Sequence, residues 1–172
     1  MTDFVHLHLH TEYSLLDGAV KVDELVDHCV KNGINAVAVT DHGNMYTSLR
    51  FAEKCKKKKI KAIIGCEFYV VDDYTKHVDQ HADHLILLAK NKRGYINLVQ
   101  LDSLAFVDGY YYRPRIDYKV LKEHTEGVIC LSACLAGRIP RLLMAGEYEK
   151  AKEFALYFKE LFGEDFYLEI QD

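Results

Sequence analysis

Short apolar runs of strand character alternate with amphipathic stretches of helical period along the chain, and this alternation limits the fold more than any other feature. Residues 4–9, FVHLHL, read as a strand with Val5, Leu7 and Leu9 on one face. His6, His8 and His10 lie on the other. Residues 22–33 read as a helix whose stripe is Val22, Leu25, Val26, Cys29 and Val30, with Gly33 as its stop. Further strands are predicted at 34–40, 60–71, 84–90, 127–133 and 165–170, and helices at 44–59, 93–106, 118–124 and 147–163. Residues 72–83 and 108–118 read as loops. Such a succession predicts an α/β fold with a parallel sheet or a β/α barrel.

At 172 residues the chain is one domain, 1–172. It has no apolar run near the roughly 18 residues that cross a bilayer, so no membrane insertion is expected. A secretory leader is also not expected, because Asp3 and the histidines stand where apolar residues would be needed. The five cysteines, Cys29, Cys55, Cys66, Cys130 and Cys134, form no CxxC pair and predict free thiols in a cytoplasmic protein. With a net charge of −4, nucleic-acid binding would need a local basic patch or bound cations. The chain stops just after its last predicted strand, with nothing to cover that strand. This predicts a fold truncated before its last strands, the front of something longer.

The histidines give such cations a place. An H-x-H pair on a rigid strand can chelate one metal ion. In parallel α/β folds residues at the C-terminal strand ends converge. Here those ends carry His10 with Asp17 beyond it, Asp41 and His42 in TDHG, Glu67 in GCE, and Cys134 after LSA. His84 stands at the head of its strand and by this rule belongs at the wrong end. His77 and His81 read as loop residues, His28 and His124 as helix-surface residues. A cluster of this kind suits phosphoester hydrolysis by two or three divalent ions, zinc, manganese or iron. The catalytic group would be a metal-bound water beside His8, His10, Glu67 and His42. Asp41 would orient His42 or a neighbouring ligand from behind.

Two basic stretches invite a nucleic-acid reading. The lysines of 53–61 fall at a predicted helix C-terminus, where cations complement the helix dipole and are solvated. YYYRPR, 110–115, is sharper: Tyr112 could stack a base while Arg113 and Arg115 hold phosphates. A packed tyrosine cluster at the rim is the equally weighted alternative.

An ordered series of blocks, FVHLHLHTEYSLLDGA, AVTDHGNMY, IIGCEFYV, HLILLAKNKRGYINLVQL, YYYRPRID, LSACLAG and DFYLEIQ, resembles the PHP (polymerase and histidinol phosphatase) domain of bacterial DNA polymerase III alpha subunits across essentially the whole chain. The resemblance implies a distorted seven-stranded, TIM-like β/α barrel at the N-terminal end of a longer polymerase chain. It implies the metal ligands His8, His10, Asp17, His42, Glu67, His84 and Cys134, with His6 not counted among them. Two further ligands of the family, a late Asp-x-His pair, have no counterpart, so the 172-residue chain alone should be weakly active at best.

The implied activity is 3′ to 5′ proofreading exonuclease, acting on a DNA 3′ end. The implied partners are the rest of the polymerase chain, a DNA-directed DNA polymerase, and other replisome subunits. Two alternatives stay open: a noncatalytic platform that binds a proofreading subunit, and a free-standing phosphatase for a small molecule such as histidinol phosphate. A polymerase-like YYYRPRID block weighs against the latter.

Overall fold

A run of β-branched and aromatic residues makes the longest strand, and the rest of the sheet is assembled on it. A computed structural model describes residues 4–15 and 17–171. In chain order the elements are α1 (Val22–Lys31), β1 (Ala36–Val39), α2 (Ser48–Lys58), β2 (Lys61–Val71), β3 (Asp83–Ala89), α3 (Lys92–Val107), β4 (Arg115–Asp117), α4 (Tyr118–Lys122), β5 (Val128–Leu131), α5 (Arg138–Met144), α6 (Tyr148–Phe162) and β6 (Phe166–Tyr167). Among the described residues they form one six-stranded sheet in the order β1-β2-β3-β5-β6, with β4 beside the far half of β2.

The sheet is mixed, which corrects the expectation of parallel strands. β1, β4 and β2 run parallel, but β3 is antiparallel to both β2 and β5. The segment between β2 and β3 contains no helix, and without a crossover the chain can only turn back. The sheet also does not close among the described residues, so six strands with two free ends stand where seven in a barrel were expected.

Residues 4–10 run beside β1 with a bend at His8 and do not form the predicted strand. Ala38 donates to the His6 carbonyl and Thr40 to that of Leu9, so three residues advance against two. The Leu9 amide is taken by the Thr40 hydroxyl at 2.8 Å, which interrupts the ladder. β4 occupies a stretch predicted as loop. α5 was not foreseen at all; Pro140 sits in its first turn, where a missing N–H leaves no bond unmade.

Alternation along the strands sorts the two faces. Cys66, Phe68 and Val70 of β2 join Leu85 and Leu87 of β3 in packing against Leu98, Leu101, Leu121 and Phe158 of the helices. Val37 and Val39 of β1 meet Val22, Val26, Phe51 and Cys55 from α1 and α2. Ala38, Ile86 and Leu88 of these strands, with Leu131 of β5, make a smaller apolar floor on the opposite face. Glu67 and His84 share that face, so the helices cover one side of the sheet and the polar cluster occupies the other.

Close approach fixes how α3 sits on this sheet. A Cβ at Gly94 would fall 1.8 Å from the Gly127 carbonyl oxygen. Asn97 binds the Glu126 carbonyl at 2.8 Å in the same turn. Gly94→Ala must push α3 away from the start of β5, and we expect it to cost about 1–3 kcal/mol, the usual range for overpacking. Urea unfolding checks this; an unchanged midpoint would refute the close packing.

Candidate metal centre

Glu67 lies inside β2, not at its end as the sequence suggested. Ile64 is the last residue of β2 paired with β1, and Tyr69 the first paired with β4. The gap between them is filled by the TDHG turn: Glu67 donates to the Asp41 carbonyl at 3.0 Å and its own carbonyl accepts from Gly43 at 2.8 Å. Gly43 has φ +58, and a Cβ there would meet Pro114 at 2.8 Å, so the turn needs glycine. His42 is thereby laid directly beside Glu67.

The Glu67 side chain is 0% exposed and is the meeting point of the histidines. Its Oε1 contacts His42 Nδ1 and lies 2.8 Å from His84 Nδ1. Its Oε2 is 3.1 Å from His8 Nε2 and 3.9 Å from His10 Nε2. His84 reaches this position because β3 is antiparallel: the start of that strand lies level with Tyr69, at the end where the parallel strands finish. The rule that put His84 at the wrong end assumed a parallel strand.

Asp17 Oδ2 is 2.9 Å from His42 Nε2, and Cys134 Sγ is 3.6 Å from His84 Nδ1. The rings of His10 and His42 stack at 3.9 Å. The structure thus gathers His8, His10, Asp17, His42, Glu67, His84 and Cys134 in one cluster. His6 is exposed, its ring against Phe4. His77 stacks on Tyr111, and His124 binds the Val120 carbonyl within its own helical turn.

Asp41 reaches the cluster by another route than the sequence suggested, since among the described residues it touches no imidazole. Buried to 1% exposure, it accepts from the Thr11 amide at 2.6 Å, the Thr11 hydroxyl and the Ser14 hydroxyl. Ser14 Oγ in turn accepts from the His42 amide at 3.1 Å. Asp41 therefore anchors Thr11 and Ser14 ahead of Asp17, and acts on His42 through its backbone.

The expected DNA-contact residues separate in the same way. Arg115 is 2% exposed, and its guanidinium donates to the carbonyls of Gly109, Tyr74 and Lys76. It is therefore withdrawn from any phosphate. Arg113 is exposed, with its guanidinium 4.8 Å over the Tyr69 ring, which packs against the rings of His42 and His84. Tyr112 is 83% exposed.

The electrostatics follow from burying one carboxylate among imidazoles. Burial alone would raise the Glu67 pKa, but the imidazoles of His42, His8 and His84 gathered around it hold it well below the usual carboxylate range. Burial opposes charge on His8, yet its hydrogen bond to Glu169 and the charge of the nearby Glu67 carboxylate raise its pKa to about 9. His84 is likewise raised to about 9 against burial, through Cys134 and Glu67, and the same pairing lowers the Cys134 thiol. His10, with weaker partners, is pushed down by burial.

The donor set fits divalent metal. Two groups, His8–His10–Glu67 and His42–Glu67–His84, each bring their ligand atoms within 4.8 Å of one another, and Glu67 belongs to both. Glu67 Oε2 and His10 Nδ1 are buried without a hydrogen bond. Thus Oε2, although 3.1 Å from His8 Nε2, is not satisfied by it. His8 Nε2 and His10 Nε2 also face each other at 3.1 Å. Such convergence of lone pairs on one point is what a cation relieves.

Sequence reasoning missed Glu169, whose Oε1 is 2.6 Å from His8 Nδ1. An acid just past a strand of the parallel set was the available signal, the one that had singled out Glu67.

With chelator present, the charged cluster sets a stability window. Glu67 stabilises the fold above its unfolded value of 4.5, and that contribution is lost on acidification. His8 and His84, raised from 6.5 to about 9, contribute fully below 6.5 and lose their contribution as pH climbs towards 9. Urea midpoints should therefore peak between about pH 4.5 and 6.5 and fall on either side. A midpoint that rises from pH 6.5 to 9 would contradict the pairing.

Comparison with known proteins places these features. The family model described as "PHP domain" matches residues 6–172. DNA polymerase III subunit alpha of Borreliella burgdorferi is 47% identical over 174 residues, covering 98% of this chain and 15% of the relative. The Treponema pallidum protein of the same name is 49% identical over 175 residues, with the same coverage. The chain thus spans about 15% of the length of these curated relatives. Among solved structures, an amidohydrolase from Chromobacterium violaceum aligns with a TM-score of 0.51 at 14% identity, covering 95% of this chain and 87% of that one. That likeness concerns the fold alone.

Proposed function

The chain belongs to the PHP domain family, and from that premise we propose that its Glu67-centred cluster hydrolyses phosphodiester bonds at a DNA 3′ end, as the proofreading 3′ to 5′ exonuclease of a cytoplasmic DNA polymerase III alpha subunit. On this reading 1–172 is the PHP domain of a longer polymerase chain, its six strands belong to a distorted seven-stranded barrel, and its partners are the remainder of that chain and other replisome subunits. One observation carries it: a single fully buried carboxylate is shared by two His–His–Glu groups.

His8, His10 and Glu67 would hold one divalent ion and His42, Glu67 and His84 another, with Asp17 and Cys134 completing a set of two or three; zinc, manganese and iron all suit these donors. When bound, such ions polarise a phosphoryl oxygen and acidify a water. Glu67 spans both groups through its two oxygens and keeps their spacing. Asp17, on a turn anchored by Asp41, holds His42 at Nε2. Arg113 is exposed beside Tyr69 and would bind the phosphate, while Tyr112 offers a face for a base. Water adds across the phosphorus–O3′ bond; the shortened strand keeps a 3′-hydroxyl and a nucleoside 5′-monophosphate leaves.

Glu67→Gln keeps the shape of the side chain and removes its charge. We expect it to lose bound metal, read by elemental analysis, and to lower exonuclease activity on end-labelled DNA by about 100-fold or more. Retained metal with no nuclease activity in the unsubstituted protein would favour the noncatalytic platform instead. Arg113→Ala should leave metal content unchanged and lower kcat/KM by about 10-fold, roughly 1.4 kcal/mol. An unchanged kcat/KM would remove Arg113 from the phosphate site.

A further inference from the structure

We propose that Glu169 is a positioning residue for the metal centre: it fixes the proton of His8 on Nδ1 and so leaves Nε2 free to bind an ion. This rests on the metal-centre reading given above and adds to it a residue outside the expected ligand set.

The geometry is specific. Glu169 Oε1 lies 2.6 Å from His8 Nδ1, and His8 Nε2 points the other way, towards His10 Nε2 and Glu67 Oε2. A neutral imidazole carries one proton, on either nitrogen. A carboxylate, being an acceptor only, stabilises the form with the proton on the nitrogen that faces it. With Glu169 in place the proton is on Nδ1. Without it, Nε2–H would face Glu67 Oε2, 3.1 Å away, and the proton would occupy the ligand position.

Glu169 is itself held. Its amide donates to Ser132 Oγ at 2.9 Å, just beyond β5, and the Ser132 amide donates to the Tyr167 carbonyl at 3.1 Å. The Gln171 side-chain amide donates to Glu169 Oε1 at 2.6 Å; the same nitrogen is 3.2 Å from His8 Nδ1 but can only donate, so Glu169 Oε1 is the acceptor that a proton on Nδ1 meets. The contact also joins the two ends of the sheet: His8 stands beside β1 and Glu169 just after β6, and among the described residues backbone pairing does not connect them. Loading the His8 position with metal is thereby tied to docking of the segment after β6.

The test compares Glu169→Ala and Glu169→Gln with the unsubstituted full chain. Zinc affinity is measured by competition with a chromophoric chelator, and the His8 tautomer by long-range proton–nitrogen NMR of the zinc-free protein, above the pH of about 9 at which His8 becomes neutral. We expect Glu169→Ala to lower affinity by about 10- to 100-fold, the usual effect of losing the outer partner of a ligand histidine, and to lose the single Nδ1–H form. Glu169→Gln, which keeps an acceptor oxygen, should recover most of both. Unchanged affinity and tautomer in Glu169→Ala would overturn the role of Glu169 while leaving the metal centre standing. If Glu169→Ala does not fold, Glu169→Gln decides: near-native affinity with Nδ1–H supports the role, and a mixed tautomer at native affinity refutes it. No zinc bound by the unsubstituted chain would overturn this inference together with the metal-centre reading.

Discussion

A carboxylate with no exposure to solvent is a demanding thing to build a fold around, and Glu67 is such a group. Removing an ion of this size from water costs several kcal/mol unless charge and hydrogen bonds offset it. His42, His84 and His8 supply that offset, and each is delivered by a different part of the chain. The backbone of Glu67 is committed as well, to Asp41 on one side and Gly43 on the other. Side chain and main chain therefore pull residues 4–10, the TDHG turn, β2 and β3 to one place.

Around this centre, buried charges act as anchors for elements that carry ligands. Asp41 ties down the turn bearing Asp17 through Thr11 and Ser14. Asp83 does the same for the far side: its carboxylate binds Arg141 at 2.8 Å and Arg138 at 3.2 Å, holding α5 against the start of β3, next to His84. Arg115 anchors the segment before β3 through backbone carbonyls. None of these three needs to touch a metal or a substrate to matter for the site, since each fixes the backbone from which a ligand projects.

Strand and helix positions were largely readable because burial imposes a period on the sequence. The stripe of α1, the apolar core of β2 and the long face of α6 follow from one-sided packing, and their ends shifted by only a few residues. The errors fell where local pattern carries no information about pairing. Nothing within HLILLAK says that its neighbour runs the opposite way, so strand pattern alone put His84 at the wrong end against the family resemblance, and the antiparallel β3 gives the physical reason for its place in the cluster. The interrupted ladder of residues 4–10 depends on the Thr40 hydroxyl, thirty or so positions away along the chain. The fate of Arg115 likewise turned on carbonyls of a distant loop.

By itself, the sequence determined the chemistry available: histidines, carboxylates and one thiol placed near strand ends, with a composition suited to a single α/β core. Residue type and short-range period are local properties, and they survive in a linear reading. The tertiary structure decided which groups meet, in which state and to what end. It made Glu67 the shared carboxylate, turned Asp41 from an imidazole partner into a turn anchor, buried Arg115, and brought Glu169 to His8 across 161 positions of chain. Those outcomes depend on strand direction, register and burial, which arise only when distant segments compete for the same space and the same hydrogen bonds.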